Sequence, residues 1–159
     1  MSIRGSSPAI ALIGVLTIGA AQSPKSGVGV DPCSLVTKQE AAAAVGGAVG
    51  DGKSTVVDTK TSPAMLGGGS CQYESPSSTH YLKINVYRYV PQVAAAYRKR
   101  CAQKETVPGI GDVACWYDSK HGELQLLKGT TSLAIQINRS GDASDALKTV
   151  ARQAAARLP

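Results

Sequence analysis

The sequence predicts an α+β fold: an antiparallel sheet with helices packed on one face, held by two disulfides. Three observations predict it. Segments such as Leu82–Arg88 and Leu133–Arg139 alternate apolar and polar residues with the two-residue period of half-buried strands. Stretches opening near Thr37, Pro91 and Asp142 carry helix start signals followed by helical spacing. Four cysteines, Cys33, Cys71, Cys101 and Cys115, all lie beyond an N-terminal segment laid out as a secretion signal.

That segment, residues 1–21, has Arg4 near its start, an apolar run from Ala9 to Ile18, and small residues at Gly19, Ala20 and Ala21. The run is short for a bilayer span and no second one follows, so cleavage after Ala21 is expected, with no stable membrane anchor afterwards. Residues 22–30 then read as a flexible Pro/Gly/Ser leader, and residues 31–159 as one α+β domain. The setting this implies is secreted or periplasmic. Of 17 Lys and Arg, Arg4 is lost with the signal, leaving 16 against 11 acids, a formal +5. The bases are scattered, and no nucleic-acid recognition motif is present.

In "DPCSLVTKQEAAAAVGG", Thr37 and Glu40 form a capping box, and Gly46–Gly47 stop an Ala-rich helix after about three turns at most. So small a helix offers little apolar area, which explains the cysteine just before it: an anchor to the sheet. An even cysteine count in an exported chain reads as two disulfides. Three connectivities are possible; the preferred one is Cys33–Cys71 with Cys101–Cys115. The close-paired spacing of zinc or redox motifs is missing.

Farther along, "STVVDTK" reads as a strand, and "SPAMLGGGS" as a loop made mobile by Gly67–Gly69. A phosphate loop is excluded, because no Gly-Lys-Ser/Thr opens a helix there. "CQYES" and "HYLKINVYRY" are strands joined across Pro76–Ser78. "PQVAAAYRKRCAQK" follows as a helix, with Pro91 suited to its first turn. "VPGIGDVACWYD", "ELQLLKG" and "SLAIQINR" supply a turn and three more strands. In the last helix Ala143, Leu147, Val150, Ala151, Ala154 and Leu158 make one apolar stripe, capped by Asp142 or Ser144. The two halves echo each other, with "CQY" and "CWY" preceding "LKINVYR" and "LAIQINR", as in a duplicated β-β-(β)-α unit.

The combination of "DPCSLVTKQEAAAAVG", "CQYES" and "VPGIGDVACW" resembles small bacterial exported or lipoprotein-type domains of unknown function. These open with D-P-C-x-L-[LV]-T-x-x-E and carry a V-P-G-x-G-D turn. The resemblance implies an envelope or secreted setting and an α+β sandwich, and brings no catalytic residues. The chain departs from the lipoproteins among them by lacking a cysteine at Gly19–Gln22.

Enzyme signatures are absent: no G-x-S-x-G, no H-E-x-x-H, no S-x-x-K with its partner motif. His80 at a strand start and His121 in the hairpin "DSKHGE", with Asp118 or Glu123, are the only residues on which an envelope hydrolase or metal-dependent enzyme could rest; no metal or cofactor is assigned. The distinctive surface is the strand face bearing Tyr81, Lys83, Asn85, Tyr87 and Tyr89. Its composition suits contact with a protein, glycan or small-molecule ligand of the cell envelope, or burial beneath a helix. Arg88 and Arg139 end the two matching strands, as a paired anion site or as ordinary terminal charges. The function this favours is an exported, non-catalytic binding or interaction module; the alternatives are the hydrolase and an accessory subunit of an envelope complex.

Overall fold

The computed structural model describes residues 29–58 and 62–159. The expected signal and residues 22–28 of the expected leader lie outside the described residues. Strands β1 (Lys53–Val56), β2 (Met65–Glu74), β3 (Tyr81–Tyr89), β4 (Val113–Trp116), β5 (Glu123–Lys128) and β6 (Thr131–Asn138) form one antiparallel sheet in the order β1-β2-β3-β6-β5-β4. Helices α1 (Lys38–Val45), α2 (Pro91–Ala102) and α3 (Ser144–Arg157) complete the α+β fold. The sheet consists of two three-stranded meanders, β1–β3 and β4–β6, joined where β3 pairs with β6.

Alternation along the strands builds the main core. Leu82, Ile84 and Val86 on β3 and Leu133, Ile135 and Ile137 on β6 point to one side, opposite one another in register. Against them pack Ala41, Ala44 and Val45 of α1 and Leu147, Val150, Ala151 and Ala154 of α3. The apolar stripe expected on the last helix is thus the face it buries. The expected cap by Asp142 or Ser144 is a correction: Ala143 is the N-cap and makes no side-chain cap, and Ser144 is the first helical residue. Asp142, one residue before the cap, accepts from the Ser144 N–H at 2.8 Å.

The helices divide between the two faces. α1 and α3 share the main core, whereas α2 packs on the opposite side, where Ala94, Tyr97 and Cys101 meet Cys115 and Leu127. The cause lies in β4. Ala114 and Trp116 point into the main core, so the two-residue period turns Cys115 the other way, and its disulfide to Cys101 brings α2 with it.

Cys33 bonds Cys71, as preferred, and Cys101 bonds Cys115. The first bridge fastens the turn before α1 to the middle of β2. There the Tyr73 hydroxyl also donates to the Val36 carbonyl at 2.5 Å. The capping box is complete: the Thr37 N–H donates to the Glu40 carboxylate (2.8 Å) and the Glu40 N–H to Thr37 Oγ1 (3.2 Å). Gly46 ends α1 in the left-handed region at φ 80°, where a side chain is strained. Arg157 near the end of α3 reaches back with two 2.7 Å bonds to the Glu40 carboxylate and a third to the Leu35 carbonyl.

The segment expected to be a mobile glycine loop is a correction. β2 begins at Met65, and Gly67–Gly69 pair with β3, with Gly68 opposite Tyr87. Glycine has a weak intrinsic strand preference, yet here neighbours on both sides supply the hydrogen bonds: Val56 stands opposite Gly69, and the Val57 N–H donates to the Gly68 carbonyl at 3.1 Å. The outer edge of β4 is covered by residues 105–107, through Trp116 N–H to the Glu105 carbonyl (3.0 Å) and Val107 N–H to the Ala114 carbonyl (2.8 Å). Among the described residues no helix is long and apolar enough to cross a membrane. The two disulfides point to an oxidising environment.

Candidate functional site

On the face opposite the main core, α2 packs over β4, β5 and the Tyr89 end of β3, and no other described helix lies on this side; Ser70 of β2 and Ser132 of β6 are nonetheless buried there. The register sets the side chains of this open face in rows. One row runs Lys53, Gln72, Lys83, Gln136, Glu123; the next runs Thr55, Ser70, Asn85, Ala134, Gln125. A third runs Gly68, Tyr87, Ser132, Leu127. Tyr81, Lys83, Asn85, Tyr87 and Tyr89 therefore do share one face, and each is half-buried, Tyr89 against α2.

The aromatic part of the face is a built platform. The Tyr87 and Tyr89 rings stack with centroids 6.3 Å apart and planes 19° from parallel. Tyr97 of α2 stands behind them, 6.3 Å from the Tyr89 ring. Such contacts contribute about 0.5–1.5 kcal/mol each beyond buried area. Gly68 makes the platform possible: a Cβ there would lie 2.9 Å from the Tyr87 ring and 3.2 Å from Val57. Burial pushes the Tyr87 and Tyr97 hydroxyls up from their ordinary range, so both stay neutral donors at physiological pH.

Beside the platform runs a hydrogen-bonded chain that sequence reasoning missed. Tyr97 OH donates to Gln125 Oε1 (3.4 Å), and Gln125 Nε2 donates to Glu123 Oε1 (2.6 Å). Gln136 Nε2 donates to the other Glu123 oxygen. Both carboxylate oxygens are thereby held by amides. The signal was present in "ELQLLK" and "AIQIN", whose polar residues alternate onto one side; what was missing was the strand pairing that brings the two segments together. At the rim, Arg100 lies 5.3 Å over the Tyr97 ring. Such an arrangement offers flat ring surface, paired amide donors and acceptors, and cations.

Arg88 and Arg139 do not form a pair. β3 and β6 run antiparallel, with Arg88 opposite Thr131 and Tyr81 opposite Asn138, so the two arginines stand at opposite ends of the sheet. Arg139 instead donates to the Ala44 carbonyl at the C-terminal end of α1 (3.0 Å). Arg88 points to the main-core side, away from the open face, and its Nε is buried without a hydrogen-bond partner among the described residues.

The histidines are held by neighbours of their own. His121 stacks on Trp116 at 4.5 Å and its Nε2 lies 2.8 Å from the Glu105 carboxylate, which fixes the β4–β5 turn. His80 Nε2 lies 3.3 Å from Ser140 Oγ. Asp118 accepts from the Lys120 N–H, and Glu123 is taken by the two glutamines. Among the described residues no three His, Cys, Asp or Glu side chains converge as metal ligands, and no cysteine is free. No protein-family model matches this chain, and no curated protein matches it.

Proposed function

We propose that the protein is an exported, non-catalytic binding module whose ligand lies across the open sheet face. The observation that carries this reading is the stacked Tyr87–Tyr89 platform beside the Tyr97–Gln125–Glu123–Gln136 chain, on the sheet face where α2 is the one described helix. Side chains half-buried by mutual contact have already lost much of their conformational freedom, so little more is lost on binding. The paired cysteines and the sequence layout of residues 1–21 support export to a secreted or periplasmic setting. Cysteines locked in disulfides leave no thiol for catalysis.

The test is retention of the oxidised protein on an array of soluble glycans and peptides, compared with its Tyr87→Ala and Tyr89→Ala variants. Retention of the wild-type protein that falls at least tenfold in both variants is expected, from about 1.4 kcal/mol lost with each ring. Retention indifferent to both substitutions would overturn the reading.

A hydrolase has one observation in its favour, the His80–Ser140 contact at 3.3 Å. Among the hydrogen bonds of the described residues none joins a carboxylate to His80, so the base lacks the orienting group that such a dyad uses. The expected rate with p-nitrophenyl acetate is that of the buffer; turnover abolished by His80→Ala would put catalysis in place of binding.

A further inference from the structure

We infer that the ligand of the open face is an acidic glycan, a sugar chain bearing carboxylates; this rests on the face being the binding site. The charges on the open face come from the elements that border it. β1 brings Lys53 and β2 brings Glu74, and these neutralise one another in an ion pair at 2.5 Å. β5 brings Glu123, both of whose oxygens are occupied by Gln125 and Gln136. β3 brings Lys83 and α2 brings Arg100, and neither has an ion pair among the described residues. Glu74 and Glu123 are held by partners, whereas Lys83 and Arg100 have no counter-ion among the described residues, Arg100 lying over the Tyr97 ring, so the uncompensated charge is positive.

Charge selects an anion; the rest of the face selects its carrier. Near-parallel tyrosine rings present flat apolar surface to the C–H face of a sugar ring. The Asn85 amide, and the carbonyl oxygens of Gln72 and Gln136, whose nitrogens donate to Glu74 and Glu123, provide donors and acceptors that suit hydroxyls. An extended acidic peptide gains its affinity from backbone bonds at a sheet edge. Here the strands beneath the open face, β2, β3, β6 and β5, are interior and already paired on both sides. Arg100 adds a planar fork that matches a carboxylate.

The test is calorimetric titration of the full oxidised protein with a short oligogalacturonate and with the neutral oligogalactose of the same length. The acidic oligomer is expected to bind at least tenfold tighter and to weaken as salt is raised through physiological strength. The double variant Lys83→Gln/Arg100→Gln should bring it to the level of the neutral oligomer, while Tyr87→Ala weakens both. Equal affinity for the two oligomers, with both lost in Tyr87→Ala, overturns the acidic ligand and leaves the binding face standing. Acidic-oligomer binding that survives Tyr87→Ala, or the double variant, places the anion elsewhere and overturns the inference. Binding of neither oligomer also overturns it, and the glycan and peptide array then decides the binding face independently.

Discussion

Gly68 and Tyr87 are the residue pair on which the candidate site turns. A methyl group at position 68 would sit 2.9 Å from the Tyr87 ring, so Gly68→Ala must displace the ring and disturb its stacking on Tyr89. Because the residue is in a strand, alanine suits the backbone and the loss falls on the platform. The expected outcome is a ligand affinity reduced about tenfold with a thermal midpoint within a few degrees of wild type. An unchanged affinity, read by the same titration, would show that the ring's position is immaterial. How far such a site can be read from sequence is visible in these two residues. Alternation put Tyr87 on the same face as Tyr81, Lys83, Asn85 and Tyr89. The glycines, with no side chain to alternate, looked like a loop, and only pairing with β1 and β3 makes them a strand.

At the scale of elements, α1 is the weakest piece and is secured from outside. Eight residues with four alanines bury little area, and a helix this short is marginal alone. The Cys33–Cys71 bridge spans 38 residues and in the chain-entropy model contributes about 4 kcal/mol. Replacing both cysteines by serine should cost about 2–4 kcal/mol in denaturant unfolding, with α1 amides exchanging first; equal exchange across the chain would contradict the anchor. The clamp from α3 adds a pH dependence. The Arg157 guanidinium, opposed by desolvation and aided by Thr37, holds the Glu40 carboxyl at about 2, against an ordinary 4.5. A depressed folded value means that this stabilisation is complete above about 4.5 and is lost as the pH falls through about 2. Arg157→Gln should lower the urea midpoint at pH 6 by the equivalent of about 1–2 kcal/mol, and the gap from wild type should narrow toward pH 2. Asp51, Glu74, Asp112 and Asp142, also held low by their partners, titrate in both proteins, so the difference isolates the Glu40 clamp.

For the molecule as a whole, the class, the disulfides and the strand faces were legible, because period-two alternation and the even cysteine count are local signals. The placement of α2 was a matter of parity: Cys115 between Ala114 and Trp116 belongs to the face opposite the main core. That parity is written in "VACW", but it acquires meaning only once one knows which face of β4 the core occupies. The Tyr97–Gln125–Glu123–Gln136 chain needs three elements and two strand registers, and no local signal predicts it. Moving α2 across makes it the one described helix on the polar side, over β4, β5 and the end of β3, and this asymmetry distinguishes a binding face from a second core. The most direct measurement is backbone amide shift mapping of the isotope-labelled oxidised protein as the best array ligand is added. Perturbations concentrated on residues 81–89, Gln125 and Gln136, with α1 and the α1–α3 surface unmoved, are what the open-face account predicts. Perturbations gathered on the helix face, with the Tyr87 and Tyr89 amides still, would contradict it.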